Sequence, residues 1–315
     1  MLGMVSPNGR WGRILALDCL LRLACAIGLL LAPGVVSVGL AKDEGITATV
    51  CHAGCDYLTV QAAVIGVESG DTIRILDSVH TEDGIVVGKS VTIEGLQGSG
   101  SVIQAASAPG IAGNRVLRVN SGVEVMLKDL TIRYGRVFGH GVRGGGILNQ
   151  GRLTLDGVTV RENQAVGPTG DPGGTASGGG IWNGGALAAV GSQVSFNEVS
   201  GGNGGYTLED GGSAYGGGLL NEGVLTLDRT TVADNLVTGG DGYQAGQAWG
   251  GGLWNSGWLT VSNSTVEGNA VLGGRAWGLK VGQGLGGGMG TSDEGAARVV
   301  NSTFSGNLSK SGDSG

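Results

Sequence analysis

The chain has 315 residues, of which 68 are glycine and only 5 are proline, and its formal net charge is −7. The glycines cluster without an every-third-residue spacing, which excludes collagen, and a hydrophobic fraction of 40% is too high for a disordered glycine-rich chain. An acidic chain lacks the basic surface that nucleic acids and anionic membranes attract, so neither is expected as its main partner.

The first segment, residues 1–41, has the pattern of an export signal. Arg10 and Arg13 supply a positive start, an apolar stretch runs over residues 23–38, and Gly39 and Ala41 are small residues of the kind a signal peptidase reads. A membrane anchor is the alternative, but this run is shorter than the roughly 20 residues that span a bilayer. We therefore expect a cleaved signal, no stable membrane span afterwards, and a protein that is secreted or held in the cell envelope at the outer-membrane surface.

Residues 42–70 are expected to form an N-terminal cap. Cys51 and Cys55 are the cysteines left after signal removal, and a C-x3-C pair in an exported domain predicts a local disulfide. Metal binding by these cysteines with His52 is the weaker alternative, because their spacing is not typical of zinc sites, and no metal site is predicted. Residues 58–64 have the pattern of a short amphipathic helix with Thr59 as N-cap, which would cover the apolar end of a solenoid.

The remainder, residues 71–315, is predicted to be a solenoid, with weak strand patterns at first and clear repeats from residue 144. Triple-glycine motifs begin at positions 144, 178, 216, 250 and 286, and each is followed by short runs in which apolar and polar residues alternate. This period of two predicts strands with one buried face. A hairpin meander is the alternative, but the same corner residues recur in every copy, as stacking of equivalent turns requires. The predicted fold class is therefore all-β: a right-handed parallel β-helix with a short N-terminal capping helix.

Two asparagines recur in each copy at positions where the chain must turn. Asparagine tolerates left-handed backbone and bonds neighbouring peptide groups, so stacked copies should form buried amide rows with a structural role. The first predicted row is Asn149, Asn183, Asn221 and Asn255, and the second is Asn163, Asn197, Asn235, Asn269 and Asn307.

The opening of the mature chain resembles that of secreted pectin-lyase-like β-helix proteins. The residues that carry this resemblance are Cys51, Cys55, Tyr57, residues 59–63 and residues 70–73. The GGGIxN and TVxxN copies are similar to repeats of large bacterial surface proteins and of chlamydial polymorphic outer-membrane proteins. The resemblance covers about residues 50–309 and implies the right-handed β-helix fold; pectin-lyase-like proteins include polysaccharide lyases, hydrolases, epimerases and proteins without catalysis.

No catalytic residue is predicted. Polygalacturonase-type sites need grouped aspartates, and that family carries an Asp-Asp pair besides Gly-His-Gly; this chain has a Gly-His-Gly around His140 but no Asp-Asp. Asp156 and Asp228 occupy equivalent positions in two turns, but Gly191 and its neighbours interrupt the row, so a calcium site like that of pectate lyases is not evident. No cofactor is predicted; calcium is compatible with the acidic charge, but nothing in the sequence supports it.

The stretches between the second asparagine and the next triple glycine are the candidate binding region. Because the units stack, these inserts must emerge along one side of the solenoid. Aromatic faces mixed with polar groups would suit a glycan; the alternative is flexible loops whose aromatic side chains fold back for cover. The predicted binding residues are Tyr206, Glu209, Asp210, Tyr215, Asp241, Tyr243, Trp249 and Trp277, whereas Trp182, Trp254 and Trp258 lie within the turns and are expected to pack.

Together these patterns predict a secreted or cell-surface module, adhesin-like or structural, whose partner would be a carbohydrate or another cell-surface ligand. The alternative is a lyase or hydrolase that acts on an acidic polysaccharide. The chain ends at Gly315, shortly after the second asparagine of a turn. We therefore expect a partner chain or further residues to cover that end of the solenoid.

Overall fold

A computed structural model of the chain describes residues 45–96, 100–205 and 208–314. These residues belong to one compact unit, Gly45–Gly315. The predicted export signal, residues 1–41, lies outside the described residues. None of the helices in the described part is long and apolar enough to cross a membrane.

The short helix, α1, spans Val60–Gly66, two residues further along than the pattern placed it. Its N-cap is Thr59, whose hydroxyl accepts a hydrogen bond from the backbone N–H of Ala62 at 3.1 Å. Such a cap satisfies one of the N–H groups that the first helical turn leaves free. The helix buries Val60, Ala63 and Val64 against the core, so it covers apolar surface at the start of the solenoid.

The strands of the described residues form five stacked sheets and one strand pair. Sheet 1 contains Thr47–Val50, Thr72–Ile75, Val91–Glu94, Glu124–Lys128, Arg152–Asp156, Ala186–Val190, Val224–Asp228, Trp258–Ser262 and Ala296–Val300. Sheet 2 contains Val79–Thr81, Ser101–Gln104, Leu130–Arg133, Thr159–Arg161, Gln193–Ser195, Thr231–Ala233, Thr265–Glu267 and Thr303–Ser305. Sheet 3 contains Ile85–Val87, Leu117–Val119, Ile147–Asn149, Ile181–Asn183, Leu219–Asn221, Leu253–Asn255 and Met289–Thr291.

The other sheets are built from the inserts. Sheet 4 contains Arg136–Phe138, Gln164–Val166, Glu198–Ser200, Leu236–Thr238, Ala270–Leu272 and Leu308–Lys310. Sheet 5 contains Val142–Arg143, Ala176–Ser177, Ala214–Tyr215, Ala248–Trp249 and Gly284–Leu285. Gly242–Gln244 pairs with Ala276–Lys280 as sheet 6.

Each complete turn follows the same path through the sheets. In one turn the chain runs through Ile181–Asn183 of sheet 3, Ala186–Val190 of sheet 1, Gln193–Ser195 of sheet 2, Glu198–Ser200 of sheet 4 and Ala214–Tyr215 of sheet 5. It then enters sheet 3 again, one level along, and neighbouring levels pair parallel with equivalent residues opposite each other. The parallel β-helix predicted from the repeats is confirmed, and the hairpin meander is wrong.

The main core lies between sheets 1, 2 and 3. The alternating apolar residues of the first clear repeat, Leu153, Leu155, Val158 and Val160, are all fully buried there. The equivalents of Leu153 on neighbouring levels, Val125, Leu187, Leu225 and Leu259, belong to the same cluster, so these turns share one interior. Burial of a stacked apolar face is the dominant favourable term in such a solenoid, because a single turn cannot bury its own face.

The inserts fold as a second stack beside the main one. Sheets 4 and 5 enclose a smaller core of valine and alanine side chains, among them Ala165, Val199, Ala214, Val237 and Ala248. The first and last residues of each insert thus form paired strands that continue the solenoid. Glycines pack between these levels at backbone distance, which only a residue without a side chain permits.

The first asparagine row stands at the corner between sheets 3 and 1. Its members are fully buried, and the side-chain amide of each donates to Oδ1 of the next at 2.7 Å, from Asn149 through Asn183 and Asn221 to Asn255. Each of these amide groups also reaches a backbone carbonyl oxygen of the next level. The row therefore satisfies buried polar groups that the turn would otherwise leave without partners.

The second row stands at the corner between sheets 2 and 4. Asn163, Asn197, Asn235, Asn269 and Asn307 are linked by Nδ2 to Oδ1 hydrogen bonds of 2.9 to 3.0 Å. In each link the same Oδ1 also accepts the backbone N–H of the preceding asparagine. A double acceptor of this kind fixes both the side chain and the backbone of the corner.

Candidate functional site

Two of the predicted binding residues, Tyr215 and Trp249, lie on neighbouring strands of sheet 5. Tyr215 pairs with Trp249, and the ring centroids are 4.7 Å apart at an interplanar angle of 44°. The residues before them, Ala214 and Ala248, are fully buried in the small core. Because side chains alternate along a strand, the two rings must point outwards.

A third ring, that of Trp254, joins the pair from sheet 3. Trp254 stacks on Trp249 with a centroid distance of 5.7 Å and an interplanar angle of 24°, and its centroid lies 6.3 Å from that of Tyr215. The chain reaches Trp254 through the corner that begins at Gly250, whose φ of 66° is in the left-handed region. A Cβ there would meet the carbonyl oxygen of Leu253 at 2.5 Å, so only glycine allows this turn.

The rings of Tyr215 and Trp254 border a groove of about 280 Å³ in the angle between sheets 5 and 3. We call it the aromatic groove; its wall includes Arg143, Ser177, Tyr215, Leu220, Glu222 and Trp254. Trp249 does not line the groove, but it lies one level along from Tyr215 and its ring contacts those of Tyr215 and Trp254. The wall mixes aromatic and aliphatic side chains with hydrogen-bonding groups, and a ligand site needs both kinds.

The polar edge of the aromatic groove carries both charges. Arg143 Nη1 lies 3.0 Å from Glu222 Oε2, and the guanidinium of Arg143 lies 5.0 Å from the ring centre of Trp182. The buried indole N–H of Trp182 has no hydrogen-bond partner among the described residues. Burial raises the pKa of Tyr215, against a hydrogen bond from Ser213 that lowers it, so its phenol is a neutral group at ordinary pH.

The other predicted binding residues lie elsewhere on the inserts. Asp210 and Asp241 hold the loops together: Asp210 accepts hydrogen bonds from the backbone and side-chain amides of Gln244, and Asp241 accepts one at 2.7 Å from the backbone N–H of Arg275. Asp241 and Trp277 border a second groove of about 470 Å³ at the loop tips.

Two further residues from the predicted set stand near this tip, and a third cannot be placed. Tyr243 contacts the backbone at Gly278, and its N–H donates to the carbonyl oxygen of Glu209 at 2.8 Å. Tyr206 lies outside the described residues. The described members of the predicted set thus divide into Tyr215 and Trp249, which lie at or beside the aromatic groove, and the remaining five, which lie towards the tips: Glu209, Asp210, Asp241, Tyr243 and Trp277.

The tryptophans of the turns differ in their environment. Trp182 is 7% exposed and packs, in keeping with the sequence analysis. Trp258 is 70% exposed on the outer face of sheet 1, so its predicted packing is wrong. Its side chain points outwards because the buried partners of that strand are its neighbours in alternation, Leu259 and Val261. Trp254 is half-buried and belongs to the aromatic groove.

Sequence reasoning did not assign Arg143, Leu220, Glu222 or Trp254 to a binding region. The repeat pattern did indicate which residues face this groove. Arg143 is the outward residue before the triple glycine, and Leu220 and Trp254 are the outward residues of the strand after it. If the outward positions of the two strands had been considered together, the sequence would have predicted one groove between the two sheets.

The positions considered for catalysis do not come together. The register of sheet 1 places Val190 between Asp156 and Asp228, so the two carboxylates occupy levels separated by an apolar residue. His140 of the Gly-His-Gly motif is exposed. That the chain has no catalytic residue stays a prediction.

A separate polar cluster lies beside the N-terminal cap. His52 Nδ1 and His80 Nδ1 lie 2.7 and 3.1 Å from Oδ2 of Asp77, and His80 Nε2 lies 3.1 Å from Oε2 of Glu82. The Glu82 carboxylate raises the pKa of His80 against the opposing effect of burial, and the Asp77 carboxylate adds to this rise. Close by, Cys51 and Cys55 form a disulfide.

The sequence analysis considered His52 only with the cysteines and missed the other members of this cluster. Asp77, His80 and Glu82 follow one another within six residues of a corner and strand that stack on the cap, and this spacing was the available signal.

Comparisons with protein-family models, with curated proteins and with solved structures find no match for this chain.

Proposed function

We propose that this protein is a non-catalytic surface module that binds a carbohydrate chain in the aromatic groove. The observation that carries the proposal is the group of three contacting rings, Tyr215, Trp249 and Trp254, of which Tyr215 and Trp254 line the groove between two sheets. Sugar rings present flat C–H faces that pack on aromatic rings, and their hydroxyls need donors and acceptors at the edge. Arg143, Ser177 and Glu222 supply such groups.

The direction of the groove favours an extended ligand. Neighbouring strands of a sheet are about 4.8 Å apart, so the levels of sheet 5 offer a regular series of positions along the solenoid. From one level to the next, the outward residues of sheet 5 are Arg143, Ser177, Tyr215, Trp249 and Leu285. A chain of sugar residues can follow such a series, with its polar part near Arg143 and its apolar faces near the rings.

The cellular location of the protein is part of the same proposal. An exported, adhesin-like protein at the cell surface or in the medium agrees with the export signal read from residues 1–41 and with the disulfide between Cys51 and Cys55, because disulfides persist in oxidising compartments. The resemblance to pectin-lyase-like proteins and to polymorphic outer-membrane repeats, and the handedness that it implies, are part of this proposal too.

A glycan array tests the proposal with three proteins: the natural chain, Trp249→Ala and the control Trp258→Ala. Trp258 is the more exposed of the two tryptophans but lies on sheet 1, away from the groove. We expect the natural chain and Trp258→Ala to bind the same glycans, and Trp249→Ala to lose them. Equal loss in both variants, or glycan binding by all three, would place the ligand elsewhere.

A further inference from the structure

The cluster beside the N-terminal cap brings three metal-ligating side chains, two histidines and one aspartate, close together. His52 Nδ1 and His80 Nδ1 both face Oδ2 of Asp77, and one ligand atom from each of the three residues lies within 4.8 Å of the others. These are two of the three histidines in the whole chain. Neither the aromatic groove nor the repeats require them.

The orientation of His80 is fixed from its far side. Its Nε2 lies 3.1 Å from Glu82 Oε2, and the Glu82 carboxylate also accepts the backbone N–H groups of Val60 at 2.6 Å and Gln61 at 2.9 Å. A carboxylate that holds the second ring nitrogen of a histidine is the common outer support of a metal-binding imidazole. When His80 is neutral and its N–H points to Glu82, the lone pair of Nδ1 faces the Asp77 oxygen.

The Nδ1 nitrogen and the Asp77 oxygen can share either a proton or a metal ion that takes the place of that proton. The His80 side chain is only 4% exposed, so water screens this contact poorly. On the other side, His52 is 71% exposed and stands in the loop that the disulfide between Cys51 and Cys55 closes. The cluster therefore has a rigid buried half and an accessible half through which an ion can enter.

We propose that His52, Asp77 and His80 bind a divalent cation of the zinc class. Two imidazole nitrogens and one carboxylate suit Zn²⁺, whereas Ca²⁺ and Mg²⁺ prefer sites made of oxygen ligands. Ligand atoms about 2.0–2.1 Å from a tetrahedral zinc ion are about 3.3 Å from one another. The present separations of 2.7 and 3.1 Å need only a small opening, which the exposed His52 allows. Solvent takes the fourth position on the His52 side.

The test titrates the untagged full chain, first freed of metal, with Zn²⁺ by calorimetry, and records visible absorption after Co²⁺ is added. The variants are His52→Ala, whose side chain is exposed and not needed for the core, and Glu82→Gln, which changes only the outer support. His140→Ala removes the remaining histidine, which is exposed and remote from the cluster in sequence, and is the matched control.

We expect one Zn²⁺ per chain and a Co²⁺ spectrum typical of tetrahedral coordination. His52→Ala should weaken binding at least tenfold, Glu82→Gln should weaken it about 10- to 100-fold, and His140→Ala should leave it unchanged. Circular dichroism of each variant shows whether its fold is retained; if Glu82→Gln unfolds, the comparison of His52→Ala with His140→Ala decides.

The proposal is overturned if the natural chain binds no Zn²⁺, if His52→Ala binds it as tightly as the natural chain does, or if Ca²⁺ binds and Zn²⁺ does not. Because the test measures metal directly, its result is independent of glycan binding at the aromatic groove.

Discussion

Asn183 donates its side-chain amide to Oδ1 of Asn221 across 2.7 Å, and both side chains are completely buried. The link joins residues 38 positions apart in the sequence, on adjacent levels of the solenoid. The corner between sheets 3 and 1 is held by this contact and its equivalents, so the asparagine row is part of the interior and contributes to stability.

Replacing Asn221 with alanine should destabilise the protein strongly. The substitution removes one of the acceptors of the Asn183 amide and the side-chain donor to Asn255 Oδ1, and a buried group that loses a partner costs about 1–3 kcal/mol. Urea unfolding followed by circular dichroism measures the change. The control is Asn203→Ala, which removes an exposed hydrogen bond that Asn203 Oδ1 accepts from the backbone N–H of Asp241. Equal costs for the two variants would contradict the importance of the buried row.

The glycines between the levels of the second stack should tolerate no side chain. A Cβ at Gly240 would lie 1.9 Å from the carbonyl oxygen of Gly202, so Gly240→Ala must push two backbone segments apart. We expect a loss of stability of several kcal/mol, as for other overpacked sites, measured by thermal unfolding. Gly113→Ala is the control, because its Cβ would meet nothing within 4 Å; a harmless Gly240→Ala would mean that the inserts do not stack as described.

The positive φ of Phe196 offers a test in which introducing a glycine should stabilise the protein. This residue has φ of 55° and is 57% exposed, and the equivalent corners further along carry Gly268 and Gly306 at φ of 63°. The left-handed conformation costs an ordinary residue about 1–2 kcal/mol, so Phe196→Gly should raise the free energy of unfolding by up to about 1 kcal/mol after the entropy of glycine is counted.

The matched control for that substitution is Phe138→Gly. Phe138 is 59% exposed but lies in a strand of sheet 4 with ordinary backbone. Glycine weakens a strand interior, so this variant should lose stability. A loss of stability in both variants would show that the ring of Phe196 matters more than its backbone.

Tyr215 should make stability depend on pH in the alkaline range. Burial raises the pKa of its phenol in the folded protein, so the unfolded chain releases this proton first, at about pH 10. The contribution of the neutral Tyr215 phenol to the free energy of unfolding is therefore complete below about pH 10. It is lost as the pH rises through the pKa of the folded state. Urea unfolding at several alkaline pH values should therefore show a steeper decline for the natural chain than for Tyr215→Phe. Parallel curves would mean that the phenol is freely solvated.

The scaffold could be predicted from the sequence because apolar, polar and asparagine residues recur at equivalent positions of each level. Leu153 and its equivalents alternate with polar residues, and Asn149 and its equivalents mark one corner, so strand faces and corners could be read directly. The helix near Thr59 was placed within two residues of its observed position, as expected for element boundaries, which depend on tertiary contacts.

The site was harder to predict because it depends on the angle between two sheets. Tyr215 and Trp249 stood out as aromatic residues in the inserts, but their partner Trp254 lies in a turn that the pattern assigned to packing. His80 was missed for a similar reason: its partners Asp77 and His52 meet it only after the cap has packed on the first turns. No periodicity in the sequence encodes such angles.

Titration calorimetry with the glycan selected by the array tests the central claim most directly. The ligand is added to the natural chain, to Trp249→Ala and to Trp258→Ala, with circular dichroism to confirm that each variant keeps its fold. We expect one binding site per chain in the natural protein and in Trp258→Ala, and affinity at least about tenfold lower in Trp249→Ala, the equivalent of about 1.4 kcal/mol. Unchanged affinity in a folded Trp249→Ala would contradict carbohydrate binding in the aromatic groove.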